Sequence, residues 1–375
     1  MDLFVTCSKT LEPLLAQELG ALGYPQSSTG YCGVNVPDVD FEAVYRINYL
    51  SRLATRVLVP LTKFRCFDAK SLYQAVGRVD WEVYISSGKT IAIDANVHHP
   101  NLRNSLFAAQ VAKDAICDQL RARFGWRPEV DVKNPNVQLN LYINGDLGLL
   151  SFDTSGVSLT KRGYRKETTE APMQENLAAA LLMIADFKET DILCDPCCGS
   201  GTLLTEAAMI ASRTAPGFLR TRWGFMNLPQ FSNEKWLKVK AQADSERIEL
   251  PKNRIFGADI SKQAIYACKV NFRAAGFHHA IEVVQSDVRE YTPPAPPSMV
   301  ITNPPYGMRL DDVDQLCPLY RALGDFMKQK TAKPAKGFVL TGSPELAKEV
   351  GLATTRRHVV NNGGLEARLL EFDLY

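Results

Sequence analysis

The stretch ILCDPCCGSGT, residues 192–202, decides the fold, and the apolar run LLTEAAMIA at 203–211 follows it directly. The apolar residues before Asp195 predict a buried strand, and the run after the turn predicts a helix. Gly199 and Gly201 let the backbone turn tightly and approach a ligand, because no Cβ stands in the way. Such a turn is typical of the ligand-binding edge of a parallel sheet. A purely structural tight turn would show the same pattern.

Strands and helices alternate on both sides of this turn. Helices are predicted at 175–185, 203–212 and 262–275, and strands at 192–195, 254–259, 282–285 and 299–302. Repeated β–α units predict a doubly wound, mostly parallel sheet. We therefore expect an α/β, Rossmann-like domain over residues 158–375.

The residues before this domain show a different pattern of shorter strands and helices. One α+β module is predicted over residues 1–60, and a second over residues 61–157. The second module contains a long amphipathic helix at 104–124 and paired strands at 137–143 and 148–153. A basic link, SLTKRGYRK at 158–166, marks the boundary with the α/β domain.

Length and composition limit the class of protein. A chain of 375 residues usually folds as more than one domain. Lys plus Arg (43) nearly balances Asp plus Glu (41), so any nucleic-acid surface must be local. The sequence has no apolar run of membrane-spanning length, and its start does not resemble a signal peptide. Nine scattered cysteines are expected to be reduced thiols, so we expect a cytoplasmic protein with no membrane partner.

The glycine-rich turn does not fit a phosphate-bearing cofactor. No lysine follows Gly201, as a phosphate-binding P-loop requires, and the third glycine of the dinucleotide motif is absent. A cofactor built from an amino acid and a nucleoside needs close backbone contact and a carboxylate near its cationic end. Asp195 can supply that carboxylate.

Two further acidic residues follow predicted strands. Asp259 ends IFGAD, where a carboxylate can accept hydrogen bonds from both ribose hydroxyls. Its alternative role is to cap the next helix, but Ser261 is better placed for that. Asp287, in QSDVRE, is a candidate acceptor for an adenine amino group.

The segment Asn303-Pro304-Pro305-Tyr306 comes directly after the apolar strand MVIT. Two prolines fix the backbone, so Asn303 and Tyr306 are held in a set orientation. The exocyclic amine of a base is a poor nucleophile, and its activation calls for hydrogen-bond acceptors and a stacking surface. The Asn303 amide and the Pro304 carbonyl can accept the amine hydrogens while Tyr306 stacks on the base. A stiffened loop with an exposed tyrosine is the alternative.

Together, DPCCGSGT, GADIS, SDV and TNPPYG resemble, in this order, the motifs of class I methyltransferases that act on amino groups. The resemblance covers residues 160–375. SLTKRGYR, APMQENLAAALL and the tail VVNNGGLEARLL are more narrowly similar to the bacterial 23S rRNA guanine-N2 methyltransferases of the RlmL type. Members of that family carry an N-terminal ferredoxin-like portion and a THUMP domain, which is an RNA-binding module.

The resemblance implies an enzyme that transfers a methyl group from S-adenosylmethionine to guanine N2 in structured 23S rRNA. It implies a catalytic segment of Asn303, Pro304, Pro305 and Tyr306. The implied cofactor-binding residues are Asp195, Pro196, Gly199, Ser200, Gly201, Thr202, Asp259, Ile260, Asp287, Val288 and Asn303. The longest relatives have a second methyltransferase domain, whose activity we expect to be absent here.

Three alternatives remain: a tRNA guanine-N2 enzyme with the same module order, a DNA adenine-N6 methyltransferase, and a catalytically inactive RNA-binding scaffold. The DNA enzyme is disfavoured because no target-recognition domain is visible, and the scaffold because every motif residue that the chemistry needs is present.

Other polar clusters support weaker predictions. Cys194, Cys197 and Cys198 suggest zinc or redox chemistry, but a zinc site needs about four ligands, and only His278 and His279 are candidates to complete it. We expect packing residues and no metal. The basic strip Lys161, Arg162, Tyr164 and Arg165 is predicted to contact RNA. Arg213, Arg220, Arg222 and Trp223 lie in an irregular insertion that is predicted to cover the active site.

Overall fold

The computed structural model describes residues 1–102, 104–169, 172–306 and 310–375, with side chains from 313 onward in the last range. The chain forms two compact units. The N-terminal unit comprises Met1–Cys7, Leu15–Leu159 and Arg220–Ala241, and the C-terminal unit comprises Ser8–Leu14, Thr160–Leu219 and Gln242–Tyr375. No helix in the described ranges is long and apolar enough to span a membrane.

One antiparallel-dominated sheet of eight strands organises the N-terminal unit, in the order β2-β3-β1-β4-β8-β7-β5-β6. The elements up to residue 153 are β1 (Leu3–Thr6), α1 (Glu12–Ala21), β2 (Ser28–Gly30), β3 (Gly33–Val36), α2 (Phe41–Leu50), β4 (Arg56–Arg65), α3 (Ala69–Val76), a 3₁₀ turn (Trp81–Val83), β5 (Thr90–His98), α4 (Ser105–Phe124), β6 (Glu129–Val130), β7 (Val137–Asn144) and β8 (Leu147–Asp153).

Strand β4 joins the two modules predicted for the first 157 residues. Its first three residues pair with β1, with Leu58 opposite Phe4, and the strand pairs with β8 from Leu58 to Arg65. The ten-residue strand is long enough to have neighbours on both sides, with a register shift between Pro60 and Thr62. The two modules therefore share one sheet.

The segment Arg220–Ala241 contributes to the core of the N-terminal unit. Trp223, Phe225 and Trp236 are buried and pack against Tyr45 and Tyr49 of α2. The prediction that this insertion covers the active site is wrong for Trp223, because its indole belongs to this aromatic core.

A seven-stranded sheet organises the C-terminal unit, in the order β11-β10-β9-β12-β13-β15-β14. The remaining elements are α5 (Glu175–Ile184), β9 (Leu193–Asp195), α6 (Thr202–Ala211), a 3₁₀ turn (Gly224–Asn227), α7 (Asn233–Ser245), β10 (Ile255–Asp259), α8 (Lys262–Ala275), β11 (Ile281–Gln285), β12 (Met299–Thr302), α9 (Leu310–Lys330), β13 (Ala335–Thr341), α10 (Pro344–Glu349), β14 (Arg356–Asn362) and β15 (Leu365–Leu374).

Strands β9 to β13 are parallel, and β15 pairs antiparallel with both β13 and β14. From β9 the chain adds strands first on the β10 side and then on the β12 side. The strand order therefore reverses between β9 and β12, and ligands bind outside the carboxyl ends of the strands at such a switch point. Asp195, Asp259 and Asn303 all lie at this edge.

Candidate active site

The loops that follow β9 and β10 are joined by the carboxylate of Asp259. Its Oδ2 accepts a hydrogen bond from the Gly199 amide at 2.9 Å, and its Oδ1 accepts one from the Ser261 amide at 2.9 Å. Ser261 itself caps α8, accepting from the Ala264 amide. Each carboxylate oxygen retains lone-pair capacity for a ligand hydroxyl.

Glycines at 199 and 201 are required for different reasons. Gly201 has φ +80°, and a Cβ there would lie 2.6 Å from the ring of Phe272. Gly199 has φ +55° with little around it, the nearest atom to a built Cβ being Thr169 Oγ1 at 3.9 Å. The turn therefore packs tightly on α8 at Gly201 and leaves a backbone cradle at Gly199. Its other residues, Pro196, Ser200 and Thr202, are buried.

Asp195 is buried at the end of β9. Its Oδ1 accepts from the Thr302 hydroxyl at 2.7 Å and from the Cys197 amide at 3.1 Å. Burial raises the pKa of this carboxyl to about 7, and the two hydrogen bonds oppose that rise. Asp195 is therefore poised to ionise when a cation binds beside it.

Asn271, on α8, fastens residues 166–167 to the glycine-rich turn. Its Nδ2 donates to the carbonyls of Glu167 (2.9 Å) and Ser200 (3.0 Å), and its Oδ1 accepts from the amides of Lys166 (2.8 Å) and Glu167 (3.1 Å). Sequence reasoning missed this residue. A buried asparagine in an otherwise amphipathic helix was the available signal.

The side-chain carbonyl of Asn303 is buried and has no hydrogen-bond partner among the residues that the structure describes. A buried acceptor without a donor is costly, so such an atom at a ligand-binding edge points to a donor supplied by a ligand. Pro304 is buried and Pro305 is exposed.

Tyr306 is half-buried, and its phenol is held at the end of β14. Asn362 Nδ2 donates to the Tyr306 hydroxyl at 2.7 Å. A Cβ built on Gly342 would lie 3.3 Å from two ring carbons, so the ring lies against that glycine. Gly307, the last residue of the TNPPYG motif, lies outside the described residues.

The predicted adenine site contains one apolar and one ion-paired side chain. Ile260, directly after Asp259, is 67% exposed, which leaves an apolar surface at the sheet edge. Val288, which follows Asp287 in the sequence, is buried. The Asp287 carboxylate pairs with Arg289, whose hydrogen bonds lower the pKa of Asp287 to about 2. An adenine amine would therefore share this carboxylate with Arg289.

The basic strip is only partly available to RNA. Tyr164 and Arg162 are both 1% exposed; the Tyr164 hydroxyl donates to Glu206 at 3.0 Å, and Arg162 forms an ion pair with the same carboxylate. The predicted RNA contact is wrong for these two residues because they fill the core of the C-terminal unit.

Arg165 also faces inward. It donates to the Thr202 hydroxyl at 3.1 Å and forms an ion pair with Glu175 at 3.4 Å, so it supports the first residue of α6 rather than extending into solvent. Its predicted RNA contact stays a prediction. Lys161 is exposed, and its predicted contact with RNA stays a prediction.

The basic residues of the insertion are mostly engaged within their own units. The Arg220 guanidinium donates to the carbonyls of Ser155, Val157 and Ser158 and lies over the Trp223 ring. Arg213 pairs with Glu189. Arg220 therefore stabilises a turn of the N-terminal unit. Arg222 is exposed, and its predicted position over the active site stays a prediction.

The cysteines of the turn are free thiols, and Cys198 Sγ lies 3.8 Å from Cys268 Sγ. Cys268 also donates to the Gly199 carbonyl at 3.1 Å. Within the described ranges, no three His, Cys, Asp or Glu side chains are grouped so that they could hold a metal ion.

Three family models match the chain in sequence order. The ferredoxin-like domain of RlmL matches residues 2–58, the THUMP domain matches 66–153, and the RMKL-like methyltransferase domain matches 162–371. The expected fold class, a Rossmann-like domain preceded by ferredoxin-like and THUMP modules, is confirmed.

The chain also resembles individual proteins over nearly its full length. It is 41% identical to the ribosomal RNA large subunit methyltransferase K/L of Syntrophotalea carbinolica, covering 99% of this chain and 53% of that protein. It is 36% identical to slr0064, an inferred RNA methyltransferase of Synechocystis, covering 99% and 96% of the two chains. A solved structure of SMU.472, an inferred methyltransferase in complex with S-adenosylhomocysteine, superposes with a TM-score of 0.89 at 27% identity, covering 100% and 98%.

The chain spans about half the length of the K/L methyltransferases that it matches, whereas it matches slr0064 almost end to end. The methyltransferase-domain model alone accounts for more than half of its residues. The resemblance inferred from the motifs is therefore confirmed, and the chain belongs to the family of the RMKL-like methyltransferase domain.

Proposed function

We propose that this protein transfers a methyl group from S-adenosylmethionine to the exocyclic N2 of a guanine in structured ribosomal RNA, with 23S rRNA as the substrate. The observation that carries the proposal is the buried, unpartnered carbonyl of Asn303 at the switch point of the sheet. An exocyclic amine is a donor of the kind that this acceptor lacks.

The cofactor fits the residues around the glycine-rich turn. The cradle at Gly199 admits close backbone approach, Asp195 would face the cationic amino-acid end, and Asp259 would accept from the ribose hydroxyls. Ile260 offers an apolar surface to the adenine, beside Asp287. S-adenosylmethionine supplies an electrophilic methyl group, and SMU.472, which superposes on the whole chain, contains its demethylated product.

The target base is held by the segment after β12. Asn303 Oδ1 and the Pro304 carbonyl accept the two amine hydrogens, which orients the nitrogen lone pair towards the methyl group. Tyr306 provides a stacking surface, an interaction that supplies ~1–3 kcal/mol per base. No strong general base is then required.

The choice of RNA over DNA rests on the N-terminal unit and on the relatives. The THUMP match covers residues 66–153, and the K/L relatives are named for the large ribosomal subunit. Lys161, which follows the THUMP match by eight residues in the sequence, is exposed and is a candidate phosphate contact. The domain boundaries that we propose are 1–60, 61–157 and 158–375, with Arg220–Ala241 contributing to the N-terminal unit.

Product analysis tests the proposal directly. Ribosomal RNA from cells lacking this gene is incubated with the full chain and S-adenosylmethionine, digested with nucleases and analysed by mass spectrometry. We expect N2-methylguanosine in 23S rRNA. Methylation of tRNA alone, or of adenine N6 in DNA, would replace the proposed substrate with one of the two alternatives.

Asn303→Ala tests the role of the unpartnered carbonyl. We expect the single-turnover rate to fall by ~10²–10³-fold, because an acceptor that aligns the reacting amine is lost. Cofactor affinity, measured by calorimetry, should stay near the wild-type value, since the side chain is assigned to the base. A wild-type rate would contradict the assignment; equal losses of rate and cofactor affinity would move Asn303 to the cofactor site.

A further inference from the structure

The side chain of Tyr306 is fixed at two places that the TNPPYG motif does not include. The phenol oxygen, at the far end of the ring, accepts the 2.7 Å hydrogen bond from Asn362. One edge of the ring lies against Gly342, after β13. The two contacts restrain different motions. The hydroxyl lies on the axis about which the ring rotates, so its hydrogen bond stops the ring from swinging away, while Gly342 limits the rotation itself.

Asn362 occupies a well-defined position. It ends β14 and pairs with Leu365 across a two-residue turn of Gly363 (φ +62°) and Gly364 (φ +92°). Positive φ at both central residues is typical of a type I′ hairpin, whose twist matches that of the paired strands. On the same hairpin, the side-chain oxygen Oδ1 of Asn361 accepts from the Gly364 amide at 2.9 Å. The hairpin therefore presents the Asn362 amide from a rigid frame.

We propose that Asn362 is a positioning residue for base methylation, which acts through the Tyr306 hydroxyl to hold the stacking ring in place. The proposal rests on the function proposed above. It gives the hydroxyl a role that a stacking surface alone would not need, because stacking uses only the face of the ring. The phenol accepts from Asn362, so its own proton remains available for a second hydrogen bond.

A double-mutant cycle tests this inference with the full chain. Asn362→Ala and Tyr306→Phe should each slow single-turnover methyl transfer by roughly 3- to 10-fold, the range that one hydrogen bond supplies. The double variant should be no slower than either single variant, because both substitutions remove the same bond. Asn362→Asp should recover most of the rate, since the phenol can then donate to the carboxylate. Cofactor affinity should be unchanged in all four proteins.

Asn361→Ala is the matched control, because it perturbs the same hairpin without contacting Tyr306. We expect it to react at nearly the wild-type rate. The inference would be overturned by a wild-type rate for Asn362→Ala, by losses that multiply in the double variant, or by an equal loss in Asn361→Ala. If the wild-type product is not N2-methylguanosine, the proposed function fails, and the same cycle measured on the observed product still decides the role of Asn362.

Discussion

Asp195, at the proposed cofactor site, changes charge near neutral pH. Burial raises the pKa of its carboxyl from an ordinary value of 3.8 to about 7. The folded protein therefore keeps a proton on Asp195 that the unfolded chain releases at lower pH. The contribution of this carboxyl to the free energy of unfolding is present below about pH 4 and is lost as the pH rises to about 7. A cation at the site favours the ionised carboxylate, so binding and stability of the free protein depend on pH in opposite directions.

We expect the affinity for S-adenosylmethionine to rise as the pH rises through about 7 and then to level off. Calorimetry over about pH 6 to pH 8 measures this midpoint. Thr302→Val should move the midpoint to higher pH, because it removes the hydrogen bond that lowers the pKa of Asp195. Asp195→Asn should bind weakly with no midpoint. A flat wild-type profile would show that Asp195 does not face the cation.

Residues that follow predicted strands were the easiest to place from the sequence. Asp195, Asp259 and Asn303 each end or follow an apolar run, and parallel strands bring their carboxyl ends to one edge. Tyr164 and Arg162 were misassigned for the opposite reason. Their partner, Glu206, is about 40 residues further along the chain, so nothing in the local basic pattern indicates that both are buried.

Helix α8 acts as the support for the glycine-rich turn. Cys268 donates to the Gly199 carbonyl, Asn271 to the Ser200 carbonyl, and the Phe272 ring fills the space where Gly201 lacks a side chain. These three contacts, which come from adjacent turns on one face of α8, hold the glycine-rich turn in shape. Such preorganisation lowers the entropic cost of binding.

Asn271→Asp should weaken cofactor binding by about tenfold or more, because it sets a carboxylate oxygen against the carbonyls of Glu167 and Ser200. Calorimetry gives the affinity, and thermal unfolding gives the accompanying loss of stability, which we expect to be about 1–3 kcal/mol. Lys269→Ala, at an exposed position of the same helix, is the control and should resemble the wild type in both. Wild-type affinity in Asn271→Asp would show that the loop keeps its shape without α8.

Elements with clear periodicity were predicted nearly to the residue. The predicted helix at 262–275 coincides with α8, and the one at 104–124 differs from α4 by one residue at its start. Elements beyond Thr302 are less visible in the sequence, because α9 contains Pro318 and β14 is a polar edge strand. This gap matters for function, since β14 carries the asparagine that holds Tyr306.

At the scale of the whole molecule, the two units are not continuous in sequence. Arg220–Ala241 follows the glycine-rich turn in the chain but belongs to the N-terminal unit. The change of pattern near residue 160 predicts a domain boundary, but it carries no information about a later segment that completes the first core. The aromatic residues of the insertion were the available signal that it is buried, because an exposed loop rarely contains several tryptophan and phenylalanine side chains.

The last prediction follows from that division. Trp236 is 4% exposed and lies 5.4 Å from Tyr49 and 5.3 Å from Phe225, between ring centroids, whereas the neighbouring Leu237 is 52% exposed. Trp236→Ala should therefore cost about 3–5 kcal/mol, the range for removing a large aromatic from a core. Leu237→Ala should cost little.

Hydrogen exchange of the full chain locates the effect of Trp236→Ala. Amides of α2, which carries Tyr45 and Tyr49, should exchange faster, while those of β9 and α6 should keep wild-type protection and the cofactor affinity should be unchanged. This pattern is expected because Trp236 packs in the core of the N-terminal unit, whereas the glycine-rich turn is supported by α8 in the C-terminal unit. Faster exchange confined to β9 and α6 would assign the insertion to the core of the C-terminal unit instead. Equal losses of stability in Trp236→Ala and Leu237→Ala would show that the aromatic cluster does not stabilise the N-terminal unit.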